Sequence, residues 1–440
     1  MASQESKVPT HRLSRFGKFA SLATRVGGAM VTEGAKQLVQ GRKPNAKDLL
    51  LTPTNIKRVA DQLAHLRGAA MKVGQLMSMD AGDLISPELA DILSRLRSDA
   101  SPMPSEQLAT VLCNELGQDW QQNFIEFNFK PIASASIGQV HQAHADDGTK
   151  LAIKVQYPGI KQSIDSDVDN VGTLLNVVGL IPKGVDYKDL LEEAKKQLHA
   201  EADYLLEADL LNRYKLLLKD SPDFVIPDVL KDITTDSVLA MTHVTGDPIE
   251  SLQHADQHTR DRVMTLLLEL LFKEIFSFKL VQTDPNFANF LYDEKQQKVG
   301  LLDFGATRAY NENISDGYRL AFTSVIYNND KVLDQALTQI GFFSKQIVPE
   351  QKQAIFNLVK LACEPLKFDG NYDFGSSNLA QRLSQAGTML SMEQDYWHTP
   401  PADALFLHRK IGGLYLLAAR LNAKVDVAKL FESYRLDLKH

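Results

Sequence analysis

Hydrophobic periodicity changes twice along this chain, and those changes leave few folds open. From Thr54 to about Leu96 the spacing is helical: Leu63, Leu66, Ala70, Val73 and Met77 form one stripe, and Ser86-Pro87-Glu88 has the chemistry of a new helix start. Near Phe124 the period falls from roughly 3.6 to 2. Ile137 to Ala143, then Asp146-Asp147-Gly148, then Lys150 to Gln156 reads as two strands joined by a tight turn. Beyond Asp186 a charged helical run continues to about Leu218, followed by a strand-like piece from Ser237 to Val244. A long apolar-periodic helix begins at Thr259 and leads into Gln282 to Asn289. Val299 to Leu302 is a short strand, and residues from about 310 to 440 read as largely helical. No internal repeat or low-complexity tract interrupts this order. The pattern predicts an α+β protein: a helical N-terminal extension, a small β-rich lobe and a large helical lobe.

At 440 residues, 44% hydrophobic and 23% charged, the composition excludes a disordered tail, a collagen-like fibre and a polytopic membrane protein. The longest apolar windows, Val171 to Ile181 and Val263 to Leu271, fall short of the roughly 18 residues a spanning helix needs. Two cysteines, Cys113 and Cys363, supply neither a disulfide framework nor a cysteine-only zinc site, which fits a reducing interior. Net charge is -7, unevenly spread: residues 1–47 hold nine Lys/Arg against Glu5 and Glu33, leaving 39 basic against 53 acidic residues in the remainder. So acidic a body argues against nucleic acid as a partner, whereas a basic head suits an anionic membrane surface. Leu13, Phe16, Ala20, Ala23 and Met30 recur at helical spacing within that head. Two readings fit them: a peripheral membrane helix, or a frayed terminus or helix docked on the chain's own body. No compact apolar core with a small-residue cleavage site marks a secretory signal, while the arginine-rich, acid-poor start is compatible with a transit-like segment.

Three short signals carry the chemistry. Leu151-Ala-Ile-Lys154-Val155 puts a lysine inside a hairpin strand; Asp284-Pro-Asn-Phe-Ala-Asn289 follows a long apolar helix; Asp303-Phe-Gly305 follows a short strand, fourteen residues beyond Asn289. In this order and on these elements they match the machinery protein kinases use on a triphosphate. Lys154 is then expected to pair with the α/β-phosphates, Asn289 and Asp303 to hold Mg²⁺ through oxygen, and Asp284 to accept or orient a proton. Departures are equally specific. Where a glycine-rich loop would stand, the chain has Ala133-Ser134-Ala135-Ser136, whose methyl groups hold a backbone further from phosphate. Gln282-Thr283 replaces the usual His-Arg before Asp284, and no Ala-Pro-Glu follows Asp303. His141, His144, His199 and His243 lack metal-ligand spacing, and Trp120 and Trp397 read as packing anchors.

Lys72-Val73-Gly74-Gln75, the alanine loop 133–136, Glu201-Ala202-Asp203, Gln282 to Asn289 and the Asp-Phe-Gly together resemble the UbiB (AarF-type) family of protein-kinase-like proteins, most closely its ubiquinone-biosynthesis branch. The resemblance runs from about residue 55 to 435 and includes Leu407-His-Arg-Lys-Ile-Gly-Gly413. It implies a bilobed protein-kinase-like fold with an added helical KxGQ subdomain. The expected segments are a basic arm (1–50), the KxGQ extension (51–120), a kinase-like N-lobe with alanine loop and ExD helix (121–245) and a helical C-lobe (246–440). In the family the extension folds over the site where a peptide would lie. Lys72 and Gln75 share a helix face, Glu201 and Asp203 would face them, and Glu201 is the expected partner of Lys72. Glu207, placed on the same helix as Glu201 but turned away from it, is the candidate partner of Lys154. Met241 to Val244, with Met241, His243 and Val244 as contacts, is the expected hinge against adenine. Implied cofactors are ATP/ADP and Mg²⁺. Implied partners are an anionic membrane surface, isoprenoid or quinone-precursor lipids and other ubiquinone-biosynthesis proteins, with no nucleic acid. The location is peripheral to a membrane, cytoplasmic in a bacterium or on the matrix face of the mitochondrial inner membrane in a eukaryote. The expected activity is an atypical kinase or ATPase; the alternative is a nucleotide-gated scaffold or chaperone for lipid-modifying enzymes.

Overall fold

A computed structural model describes residues 63, 66–80, 102–177, 187–343, 347–392 and 400–438. The basic arm, the helix start at Ser86-Pro87-Glu88 and Trp397 lie outside these residues. The chain forms two compact units, one ending at Asp209 and regaining Asp228–His243, the other made of Leu210–Pro227 and residues from Val244 onward.

The first unit is built on an antiparallel sheet. Its strands are β1 (Glu126–Phe127), β2 (Ala133–Ser134), β3 (Gly138–His144), β4 (Lys150–Gln156) and, after a stretch of helix, Val238–Thr242, in the order β1, β3, β4 and the last strand, with β2 also on β3. The β3–β4 turn forms where the composition predicts it: Gly148 adopts φ of +81°, and Asp147 Oδ1 accepts the Thr149 amide at 2.9 Å. Alternation along β4 points Leu151, Ile153 and Val155 into a core with Leu108, Leu112, Trp120, Val238 and Ala240. Each such side chain contributes about 1.5–3 kcal/mol by leaving water. Lys154 therefore projects from the opposite face, opposite Val140 on one neighbour and Leu239 on the other.

Helix α1 (Arg67–Asp80) carries the KxGQ segment, and α2 (Ser105–Leu116) covers the sheet core. Helix α1 packs against α3 (Ile160–Val177) and α4 (Tyr187–Glu201). Sequence spacing predicts one helical run from Asp186 to Leu218, with Glu201 and Glu207 on the same helix. The structure corrects this: the chain breaks after Glu201 and restarts as α5 (Tyr204–Leu217). The cause is Asp203, whose Oδ1 accepts the Leu206 amide at 2.9 Å, an N-cap that starts a new helix. The boundary between the two units falls within α5, after Asp209.

In the second unit Phe224–Val225 (β5) pairs in parallel with β10 (Lys298–Leu301), which pairs with β9 (Phe290–Asp293); Val238–Thr242 of the first unit is β6, and β7 (Asp247–Pro248) lies on β9. A separate ribbon joins β8 (Leu280–Gln282) to β11 (Thr307–Ala309). Helix α6 (Gln257–Phe272) is capped by Asp256 and runs into a π-helical turn, Lys273–Phe278, closed by Lys279 at φ of 51°. Helices α7 (Glu312–Ile326), α8 (Asp330–Ile340), α9 (Pro349–Ala362), α10 (Glu364–Lys367), α11 (Leu379–Met392), α12 (Ala402–Arg420) and α13 (Val427–Phe431) make up most of the rest. The small strand pair β12 (Tyr372–Asp373) and β13 (Lys424–Val425) is an addition to the helical reading.

Candidate functional site

In the first unit the sheet and two helices set up a pair of ion pairs. Lys154 Nζ donates to both carboxylate oxygens of Glu207, at 2.9 and 2.8 Å, and stands 5.1 Å from the centre of the Tyr204 ring. Glu207 is 1% exposed and Lys154 8%, so this is a desolvated pair held from a strand and a helix start. Gly138 lets β3 pack tightly beside the pair's two elements, since a Cβ there would stand 2.4 Å from the Val155 carbonyl oxygen and 3.0 Å from the Tyr204 hydroxyl. Lys72, buried on α1, is ion-paired with Glu201 at the end of α4. Glu201 also accepts a 2.7 Å hydrogen bond from the Ser136 hydroxyl, a contact sequence reasoning did not foresee. Gly68 brings α1 onto the same loop, since a Cβ there would lie 3.0 Å from the Ser136 carbonyl oxygen. Lys72, Glu201, Ser136 and Gly68 thus tie the KxGQ helix to the alanine loop.

Ala133 and Ser134 are exposed on β2, while Ala135 and Ser136 are half-buried. The Ala135 amide donates to the Gly138 carbonyl at 2.9 Å, so the loop closes on itself there. Asp203, half-buried, is the N-cap of α5 described above. Gln75 lies on α1, but its side chain falls outside the described residues. Met241 is buried on β6 opposite Ala152; the His243 amide donates to the Lys150 carbonyl at 2.9 Å, and the boundary between the units falls between His243 and Val244. Burial, and then the charge of Lys150, pushes the His243 imidazole below its ordinary pKa.

The second unit gathers Asp284, Asn289 and Asp303. The Asn289 side-chain amide donates to Asp284 Oδ2 at 3.2 Å, the Leu302 amide donates to the Asn289 carbonyl at 3.0 Å, and the Gly305 amide donates to Asp303 Oδ1 at 3.0 Å. With its Nδ2 engaged by Asp284, Asn289 has its amide oxygen as the donor atom for a cation. Among the described residues no three His, Cys, Asp or Glu side chains converge as a metal cluster. A carboxylate and an amide oxygen nonetheless suit Mg²⁺, which keeps much of its shell for water and phosphate.

Behind this triad lies a buried network that sequence reasoning missed. Lys410 on α12 is 3% exposed and donates to the Gln282 carbonyl at 2.8 Å and to Gln282 Oε1 at 3.1 Å. Its ammonium is 3.3 Å from Glu274 Oε2, and Glu274 Oε1 accepts from the Tyr214 hydroxyl at 3.0 Å. Gln282 Nε2 in turn donates to the Asp303 carbonyl at 3.1 Å. Burial raises the Glu274 carboxyl above its ordinary range, with Lys410 opposing, and burial also raises Tyr214 strongly. Gln282, standing where kinases place histidine, therefore links a buried cation to the backbone of the Asp-Phe-Gly segment. The only signal in the sequence was local: Glu274 followed by Ile275-Phe276 in the π-helical turn, and Lys410 within Leu407-His-Arg-Lys-Ile-Gly-Gly413. Arg409, next to Lys410, approaches Asp284 Oδ1 at 3.6 Å.

Residues 95–337 match the model of the ABC1 atypical kinase-like domain. The chain is 37% identical over 431 residues to the atypical kinase COQ8, mitochondrial, of Saccharomyces cerevisiae, covering 98% of this chain and 86% of the relative. Against the atypical kinase COQ8B, mitochondrial, of Rattus norvegicus the identity is 37% over 433 residues, 98% of this chain and 81% of the relative. The solved structure of the Rv3197-erythromycin complex from Mycobacterium tuberculosis superposes with a TM-score of 0.60 at 26% identity, covering 84% of this chain and 93% of that one. A kinase-like α+β fold, a matched domain model and near full-length relatives lead to one assignment: the chain belongs to the ABC1 (UbiB, AarF-type) family of atypical kinase-like proteins.

Proposed function

We propose that this protein is an ATP-binding, Mg²⁺-dependent atypical kinase or ATPase that supports ubiquinone biosynthesis at a membrane surface. The observation that carries the proposal is the buried Lys154–Glu207 pair, with both carboxylate oxygens engaged by one ammonium. A carboxylate so placed fixes a lysine as a point charge for the α/β-phosphates. Asn289 and Asp303 would hold the cation, which supplies charge neutralisation to the phosphate oxygens when bound. Asp284, positioned by Asn289, would orient the attacking oxygen and take its proton. The relatives named COQ8 support the link to ubiquinone biosynthesis, and their names place them in mitochondria.

The tie between α1 and the alanine loop favours a second reading, a nucleotide-gated scaffold, because Glu201 and Gly68 restrict the loop that would follow a phosphate through a reaction cycle. Phosphate release by the purified protein, with and without anionic liposomes and a quinone-precursor-like phenol, separates the two. The enzyme reading expects Mg²⁺-dependent turnover that rises with liposomes and phenol. Tight Mg·ADP binding without turnover under every condition would leave the scaffold.

A further inference from the structure

We propose that Gln282, with the buried Lys410–Glu274 pair behind it, positions the Asp303-Phe304 segment for the metal. This rests on the phosphoryl-transfer reading above and assigns to it three positioning residues that act through Asp303. Gln282 ends β8 and stands opposite Thr307 of β11, so its strand runs alongside the segment that Asp303 opens. The next residue fastens the far end: the Thr283 hydroxyl and amide both donate to the Ala306 carbonyl, at 2.6 and 3.2 Å. The near end depends on a side chain, since Gln282 Nε2 donates to the Asp303 carbonyl at 3.1 Å.

An amide can donate there only if it is turned the right way, and Lys410 turns it. An ammonium carries three N–H donors and no acceptor. Those of Lys410 face the Gln282 carbonyl at 2.8 Å, Gln282 Oε1 at 3.1 Å and Glu274 Oε2 at 3.3 Å. With Oε1 held on the cation, Nε2 is the end that faces Asp303. A carbonyl oxygen accepts and cannot donate, so both neighbours demand the same orientation of the amide. Glu274 carries a second arm to the next residue. Its Oε1 accepts from the Tyr214 hydroxyl at 3.0 Å, and the Tyr214 ring lies against Phe304 with centroids 4.6 Å apart. One ion pair therefore reaches both the backbone of Asp303 and the side chain of Phe304.

Stability alone gives the pair little reason to be there. Lys410 and Glu274 are 3% and 1% exposed, and desolvating two charges offsets most of their attraction. Apolar side chains of similar volume would fill the same space at least as stably. They could not fix the amide of Gln282. Charges and dipoles set behind a metal-ligating carboxylate hold it in one place before the cation arrives, so binding has less ordering left to do. Gln282, Lys410 and Glu274 make or break no covalent bond.

Calorimetric titration of the full chain with ADP, in Mg²⁺ and in EDTA, measures how far the metal tightens nucleotide binding. Gln282→Met removes the amide but leaves Lys410 on the carbonyl of residue 282 and on Glu274. In that variant the metal-linked tightening should fall about tenfold, while ADP affinity in EDTA stays within about threefold of the parent. Lys410→Met combined with Glu274→Gln removes both charges together, frees the amide to turn and should lose about the same tenfold. All three changes together should still lose about tenfold rather than about 100-fold, because the residues act in one chain. Gln282→His keeps a ring N–H for the Asp303 carbonyl and should recover part of the loss. Unchanged tightening in a folded Gln282→Met protein overturns the proposal, and so do additive losses in the triple variant. Equal weakening of ADP in Mg²⁺ and in EDTA, with a lower melting temperature, is the mark of a strut and overturns it too. A parent that binds ADP equally well in both removes the metal site that Gln282 would serve. A parent that binds no ADP removes the nucleotide reading itself.

Discussion

Lys154 and Glu207 reach each other across 53 positions, one from a strand and one from the first turn of a helix, and both are nearly dry. Breaking such a pair leaves an uncompensated buried charge, which costs about 3–5 kcal/mol, whereas replacing both partners by apolar groups of similar volume costs far less. Lys154→Met should therefore lower unfolding stability by about that amount, and adding Glu207→Leu should restore most of it, as read from urea denaturation midpoints. A single variant no less stable than the double would show that the pair is hydrated. Glu207 was within reach of sequence reasoning because the resemblance calls for a glutamate on a helix after the hairpin. Glu274 and Lys410 were not. Their pairing spans more than a hundred residues, and a charge beside another charge in sequence reads equally well as part of a solvated helix face. The contact of Ser136 with Glu201 was hidden for the same reason: hydroxyl side chains carry no pattern that names a distant partner.

Helix α12 shows how much two neighbouring glycines can differ. A Cβ on Gly412 would meet nothing within 4 Å, whereas one on Gly413 would press into Pro285. Gly412→Ala should leave stability unchanged or raise it by up to about 1 kcal/mol through helix propensity. Gly413→Ala should cost about 1–3 kcal/mol by overpacking and should also weaken Mg·ADP binding by displacing the catalytic loop. Denaturation curves and nucleotide titrations on the two variants check both statements, and equal behaviour would mean that α12 does not set the position of Pro285. At this scale the period of the sequence was a good guide to the hairpin and to α6, because alternation and helical spacing report burial directly. It was a poor guide to the break at Asp203, where no glycine or proline interrupts the run and one capping carboxylate starts the new helix. The π-helical turn that buries Glu274 also had no local signature, since it differs from an α-helix by one residue of hydrogen-bond register.

For the whole chain, charge and partition matter most. Residues 1–47 carry nine basic and two acidic side chains on an otherwise acidic protein, and among the described residues no helix is long and apolar enough to cross a membrane. Each basic residue near an anionic surface contributes about 1 kcal/mol, screened by salt. Co-sedimentation should therefore require anionic liposomes, decline with added salt and fall on deletion of residues 1–47; equal binding of the truncated chain to neutral liposomes would rule the arm out. Of the residues proposed for the nucleotide, Lys154 and Glu207 belong to the first unit and Asp284, Asn289 and Asp303 to the second. Mg·ADP titration into the parent and Asp303→Asn, with thermal stability measured on both, tests the nucleotide reading most directly. The account predicts micromolar-range binding by the parent, at least about tenfold weaker binding by the variant for each 1.4 kcal/mol of lost ligand interaction, and an unchanged melting temperature without ligand. Equal Mg·ADP binding by a folded Asp303→Asn protein would contradict it.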